Sequence, residues 1–162
     1  MVDTAGRGAL AILITLAVAL MLMVFPLPDW AQPFRAQWPL MVLAYWCMAI
    51  PERIGVVAGW LTGLVTDAMT GTLLGQHALG YSLAMFLILT LHQRLRLYPW
   101  WQQAAAMGGI FAMERLISFL VIGATTGKPQ PWAFWLPVVV SVGLWPWLFI
   151  ILRDLRRKFR VY

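Results

Sequence analysis

The stretch GVVAGWLTGLVTDAMTGTLLG, residues 55–75, decides how the rest of the chain can pack. Glycine or aspartate recurs there at every fourth position: Gly55, Gly59, Gly63, Asp67, Gly71 and Gly75. On an α-helix, residues four apart form one slowly rotating ridge. Glycines on such a ridge leave a groove in which another backbone can approach closely. The spacing therefore predicts close packing against a helix of the same fold or of a partner; the alternative is the wall of a cavity that needs access to the backbone.

The composition identifies the solvent of this protein as lipid. Of the 162 residues, 62% are apolar and 11% are charged, against roughly 45–50% and 25% in soluble domains. A single domain of this size cannot hide so much apolar surface from water, so much of the chain must face lipid. Cys47 is the only cysteine, which excludes an internal disulfide. Its place within an apolar run indicates a small buried side chain.

The apolar runs predict an all-α protein with a single domain, residues 1–162, containing six transmembrane helices. Their expected ranges are 9–25, 34–50, 54–69, 77–91, 103–124 and 132–152, followed by a basic cytoplasmic tail at 153–162. The first run could also be a signal peptide. It is longer than a usual signal core and no small-x-small cleavage site follows, which favours a retained helix. The second helix is short for a span, which needs roughly 20 residues.

The distribution of basic residues supports six helices with both termini in the cytoplasm. With the amino terminus inside, nine of the 12 lysines and arginines fall on the cytoplasmic side, two fall outside and Arg115 lies within a helix. This is the bias that the positive-inside rule describes. An odd number of helices would move the basic tail to the outside.

Three charged residues fall well inside predicted helices: Asp67, Glu114 and Arg115. Each costs roughly 2.5–3.5 kcal/mol at mid-membrane on insertion scales, so each should face protein or water. They could form an intramembrane polar site between the third and fifth helices. Two structural interpretations compete with this site: an ion pair between Asp67 and Arg115, or Asp67 capping the turn at Gly71.

The residues indicate no catalytic, metal or cofactor site. His77 and His92 are far apart in the sequence, at opposite predicted membrane faces, and neither lies in a cluster of ligands. The chain contains no phosphate-binding loop, nucleophile elbow or metalloprotease helix. We expect neither an enzyme nor a nucleic-acid partner. The basic tail should face anionic membrane lipids or the cytoskeleton, or serve topology alone; its residues are Arg153, Arg156, Arg157, Lys158 and Arg160.

A series of short motifs resembles the proteobacterial rod shape-determining MreD family over nearly the whole chain. The motifs are PLPD at 26–29, FRAQWP at 34–39, YW at 45–46, IPER at 50–53, GTLLG at 71–75, WQQ at 101–103 and GLWPW at 143–147, together with the glycine ridge and Asp67. The pair Glu114 and Arg115 matches no motif of the family.

The resemblance implies a scaffold of the cell-elongation complex in the bacterial inner membrane. It implies that the chain binds MreC and joins MreB, RodA and a class B penicillin-binding protein in organising lateral peptidoglycan synthesis. A second copy of the chain is a further candidate partner. The family is also thought to be similar in fold to the S-components of energy-coupling-factor transporters. The alternative function is therefore a membrane subunit that binds a small molecule, with Asp67, Glu114 and Arg115 lining its cavity.

Overall fold

A computed structural model describes residues 4–161, which fold into helices without any β-strand in that range. The six α-helices are α1 (Thr4–Val24), α2 (Trp38–Ala49), α3 (Val56–Thr70), α4 (Gln76–Leu97), α5 (Trp100–Thr126) and α6 (Leu136–Lys158). Two short 3-10 helices precede α2 and α6, at Gln32–Phe34 and Trp132–Trp135. Residues 1–3 and 162 lie outside the described range.

Several helix boundaries differ from those expected from the sequence; α1, for example, begins at Thr4 instead of residue 9. Helix α2 begins at Trp38 instead of residue 34, because Pro39 suits a first helical turn and has no amide hydrogen with which to continue a helix that began earlier. Helix α4 continues past Leu91 to Leu97, and Pro99 lies just beyond its end. Helix α6 runs through most of the predicted basic tail to Lys158. Arginine and lysine are good helix formers and favour a helix carboxyl end, so the tail is mainly the last turns of α6.

Helix α2 forms the centre of the fold. Ten of its 12 residues are buried, as expected for a helix that is apolar on every side. Helices α1, α4 and α6 pack directly against it, α3 packs mainly against α4, and α5 lies between α4 and α6. A helix shielded by its neighbours in this way has little contact with lipid, which explains how a sequence of only 12 residues can lie in the interior.

Within residues 4–161, three helical segments are long and apolar enough to cross a membrane: Gly6–Val24, Trp100–Thr126 and Trp132–Lys158. Helix α3 is apolar but shorter, with 15 residues and a length of about 22 Å at 1.5 Å per residue. A bilayer core is about 30 Å thick, so α3 ends before it would cross such a core when upright. The amide and carbonyl groups at the ends of short helices then need partners within the protein.

Arginine side chains supply such partners at two helix ends. Arg35 donates hydrogen bonds to the carbonyl oxygens of Met23 and Phe25 at the end of α1. Arg96 donates to the carbonyl oxygens of Met48 and Ala49 at the end of α2. A cation at a helix carboxyl end also complements the helix dipole. These two arginines therefore stabilise helix ends that lie beside neighbouring helices.

Candidate functional site

Asp67 holds the turn between α3 and α4. Its carboxylate is buried and accepts hydrogen bonds from the Thr72 hydroxyl (2.8 Å), the Gly75 amide (2.9 Å) and the His77 amide (3.0 Å). The turn reverses the chain within five residues because Gly71 and Gly75 adopt φ values of +68° and +103°, which side chains disfavour. A carboxylate is a strong acceptor for orphan amides, so Asp67 stabilises the start of α4, whose first amides have no partner within the helix.

His77 links Asp67 to a second buried carboxylate. Its Nδ1 lies 2.8 Å from Oδ1 of Asp67, and its Nε2 lies 3.9 Å from Oε1 of Glu114. The imidazole packs edge-on against Tyr81, with ring centroids 5.8 Å apart. The hydrogen bond at Nδ1 fixes the orientation of the imidazole. His77 therefore bonds α4 to α3, and its other ring nitrogen faces Glu114 of α5 beyond hydrogen-bond distance.

Glu114 extends the same network to α2 and α6. It accepts hydrogen bonds from Gln37 Nε2 (2.8 Å) and from the Ser118 hydroxyl (3.0 Å). The backbone amide of Gln37, which precedes α2, donates in turn to the Ser141 hydroxyl on α6 at 2.9 Å. We call Gln37, Asp67, His77 and Glu114 the polar cluster. The cluster brings together residues from α3, α4, α5 and the segment before α2. The amide of Gln37 adds a hydrogen bond to α6.

Arg115 does not belong to the polar cluster, although the sequence analysis grouped it with Asp67 and Glu114. Its Nε donates to the carbonyl oxygen of Phe134 at 2.8 Å, and its guanidinium lies 4.0 Å from the centre of the Phe134 ring. Adjacent residues on a helix point about 100° apart, so Arg115 faces the 3-10 turn before α6 while Glu114 faces α4. The ion pair between Asp67 and Arg115 is therefore wrong, and Asp67 caps the turn instead.

His77 and Gln37 belong to this site, although the sequence does not single them out. His77 is considered there only as a metal ligand, and Gln37 falls near the start of the predicted second helix, 34–50, without a role. One signal was available: Asp67 and His77 flank a turn bounded by Gly71 and Gly75, so a helical hairpin brings them side by side. Gln37 is 77 residues away from Glu114 in the sequence, and no local pattern predicts that contact.

The glycine ridge packs against α4 of the same chain. A Cβ atom at Gly59 would lie 2.9 Å from the carbonyl oxygen of Tyr81, and one at Gly63 would lie 2.5 Å from the amide nitrogen of Ala78. Both distances are shorter than van der Waals contact, so the two helices can approach this closely only with glycine. Gly55 precedes α3, and Gly71 and Gly75 form its turn. The faces of Gly59 and Gly63 are thus covered within the fold.

The arrangement of the polar cluster favours a role in stabilising the fold over a role in catalysis or metal binding. Asp67 and Glu114 each accept at least two hydrogen bonds from the chain. Among residues 4–161, no three His, Cys, Asp or Glu side chains are placed to hold a metal ion. Gln37 Oε1 is the one buried side-chain oxygen or nitrogen in that range without a hydrogen-bond partner. The cluster therefore has the character of a buried hydrogen-bond network that holds neighbouring helices together.

The orphan oxygen of Gln37 makes Glu114→Gln a mild substitution. A glutamine at this position keeps an oxygen for Gln37 Nε2 and brings an NH₂ group that can donate to Gln37 Oε1. We expect its melting temperature to fall by less than about 4 °C, the equivalent of about 1 kcal/mol. Glu114→Leu leaves the Gln37 side-chain amide and the Ser118 hydroxyl without an acceptor, and each unpaired donor lowers the free energy of unfolding by about 1–3 kcal/mol. Thermal unfolding in detergent measures the difference, and equal losses for the two variants would contradict this role of Gln37.

The basic residues predicted as a tail divide between two cavities at the cytoplasmic end predicted for the fold. Arg153 and Arg156 line a cavity of about 190 Å³ together with Arg96. Lys158 and Arg160 line a larger groove of about 670 Å³ together with Arg7. Arg157 is exposed and lines neither. The polar cluster contributes to neither of these two cavities.

Comparison with known proteins identifies the family. The model of the family described as rod shape-determining protein MreD matches residues 6–155. The rod shape-determining protein MreD of Haemophilus influenzae is 32% identical over 145 residues, which cover 90% of each chain. No solved structure matches the chain. The matched region contains the glycine ridge, the turn and every member of the polar cluster, and the chain therefore belongs to the rod shape-determining MreD family.

Proposed function

We propose that this chain is a non-enzymatic scaffold that helps to determine rod shape from within the bacterial inner membrane. It binds MreC and joins MreB, RodA and a class B penicillin-binding protein in the elongation machinery that organises lateral peptidoglycan synthesis. The observation that carries this proposal is the polar cluster. Asp67 bonds α3 to α4, and Glu114 bonds α5 to Gln37 before α2, whose amide bonds to α6. Hydrogen bonds of this kind within the protein favour a rigid binding platform.

We propose six membrane crossings with both termini in the cytoplasm, and the positions of exposed aromatic side chains support one of them, the crossing by α5. Trp100 and Trp101 are exposed at the start of α5. At Phe119, 19 residues later, the helix meets Phe134 and Trp135 of the 3-10 turn before α6. That separation is about 29 Å along the helix, close to the thickness of a bilayer core. Exposed Trp132 lies in the same turn, so tryptophans mark two levels, as at the two interfaces of a membrane.

The binding surface for MreC lies elsewhere than on Gly59 and Gly63, because α4 covers that face. A photo-crosslinking side chain at one exposed position on each helix other than α2 would locate it; Leu13, Trp60, Phe86, Leu120 and Trp147 are suitable. We expect crosslinks to MreC from one position or two neighbouring positions in cells. Met107, which is fully buried, is the matched negative control. If no exposed position crosslinks and MreC does not co-purify in mild detergent, the scaffold proposal is wrong.

The alternative function, a small-molecule-binding subunit similar to an S-component, predicts a different result from the same purification. Mass spectrometry of the eluate would then find a stoichiometric metabolite and no protein partner. Arg115 faces away from Asp67 and Glu114, so the three charged residues do not converge on one ligand. We therefore favour the scaffold, and expect MreC in a fixed ratio without a small molecule.

A further inference from the structure

A groove lies between the start of α1 and the end of α6. Its volume is about 670 Å³, and its apolar wall includes Leu10, Ile14 and Phe159. Arg7, Lys158 and Arg160 line it as well, and none of the lining residues is acidic. Leu10 and Ile14 stand one helical turn apart, so the apolar wall extends along the exposed face of α1. The groove is thus cationic at one end and apolar along its length.

The end of α6 is folded back to form this groove. The Val161 amide donates to the Arg156 carbonyl and the Arg160 amide to the Arg157 carbonyl, the pattern of a Schellman motif. Val161 is buried and lies against Gly8 of α1, where an added Cβ would be 3.1 Å from Val161 Cγ1. This contact attaches the end of α6 to α1 and closes one side of the groove.

Arg160 occupies the one position of this motif that normally belongs to glycine. Its φ is +48°, and it is the only residue other than glycine with positive φ among residues 4–161. Left-handed backbone is unfavourable for a side chain such as arginine, and glycine would adopt it freely. Arginine at this position therefore costs stability, and what it adds is a guanidinium group in the groove. Strain that persists at a binding surface is a common mark of function.

We propose that this groove binds one anionic phospholipid of the cytoplasmic leaflet. The phosphate of the headgroup lies among Arg7, Lys158 and Arg160, and an acyl chain lies along Leu10 and Ile14. Basic pockets between helices at the cytoplasmic side recognise anionic headgroups, and a charged end joined to a long apolar wall matches a lipid better than a soluble anion. The proposal does not depend on the binding of MreC.

Thermal unfolding in a non-ionic detergent tests the site. We expect dioleoyl phosphatidylglycerol to raise the melting temperature of the protein and dioleoyl phosphatidylcholine to leave it unchanged. The variant with Arg7→Gln and Lys158→Gln should bind phosphatidylglycerol about tenfold more weakly or worse. The control variant, Arg94→Gln with Arg157→Gln, loses the same charge at exposed positions outside the groove and should keep the full shift.

Arg160→Gly separates binding from folding. Glycine relieves the left-handed backbone, so this variant should be at least as stable as the parent protein without lipid, and yet show a smaller shift with phosphatidylglycerol. Two results would overturn the proposal. One is an equal loss of the shift in the groove and control variants, which means general charge attraction. The other is the same shift with soluble glycerol phosphate, which means that the apolar wall plays no part.

Discussion

Asp67→Asn is expected to lower the melting temperature of the protein by about 10 °C. The two carboxylate oxygens have five hydrogen-bond partners: the Thr72 hydroxyl, the amides of Gly75, His77 and Ala78, and Nδ1 of His77. An asparagine has one acceptor oxygen, so its NH₂ group must face at least one of these donors. Breaking a buried charged arrangement from one side costs about 3–5 kcal/mol, and each kcal/mol corresponds to about 2–4 °C for a chain of this size.

The matched control for this prediction is Asp154→Asn. Asp154 carries the same charge, but it is exposed and its nearest partner is Arg153 at 3.8 Å, also exposed. Exposed pairs contribute about 0–1 kcal/mol, so this variant should melt close to the parent protein. The measurement is thermal unfolding of both variants in the same detergent. If Asp67→Asn melts within about 2 °C of Asp154→Asn, the carboxylate does not hold the turn, and the polar cluster loses its structural role.

The number and order of helices could be predicted from the sequence because local features determine them. Apolar runs separated by proline, glycine and charged residues indicate six helices, and each corresponds to an α-helix of the structure. The helix ends were less predictable. Residues 92–97 and 153–158 are polar and basic, which suggests loops in an apolar sequence. They remain helical, since arginine, leucine and lysine favour helix and proline follows only at Pro99 in the first case.

The polar cluster was only partly predictable because its contacts join distant parts of the chain. Asp67 and Glu114 are conspicuous as charges in apolar helices, and both are buried as that cost requires. Their partners are less conspicuous. Gln37 is uncharged and stands outside a helix, and the rotation of α5 decides that Glu114 rather than Arg115 faces α4. No periodicity within a single helix encodes that rotation.

Gly63→Ala is expected to destabilise the protein by about 2 kcal/mol or more, although alanine is the better helix former. In a helix interior, glycine is about 1 kcal/mol less favourable than alanine, and this term favours the substitution. The opposing term is steric: the new Cβ would lie 2.5 Å from the Ala78 amide nitrogen and 2.7 Å from the His77 carbonyl carbon. Both are backbone atoms that no side-chain rotation can move aside. Overpacking costs about 1–3 kcal/mol, and contact with backbone atoms places Gly63 at or above the upper end of that range, so about 2 kcal/mol of destabilisation remains after the propensity term.

The control that isolates the steric term is Gly109→Ala. Gly109 also lies inside a helix, α5, but a Cβ there meets no atom within 4 Å. Only the propensity term remains, so this variant should be as stable as the parent or up to about 1 kcal/mol more stable. If the same Gly→Ala change lowers the free energy of unfolding at Gly63 and raises it at Gly109, contact with α4 is the reason that the ridge requires glycine. If Gly63→Ala is as stable as Gly109→Ala, α3 and α4 are not in contact there, and the ridge is again available to a partner helix.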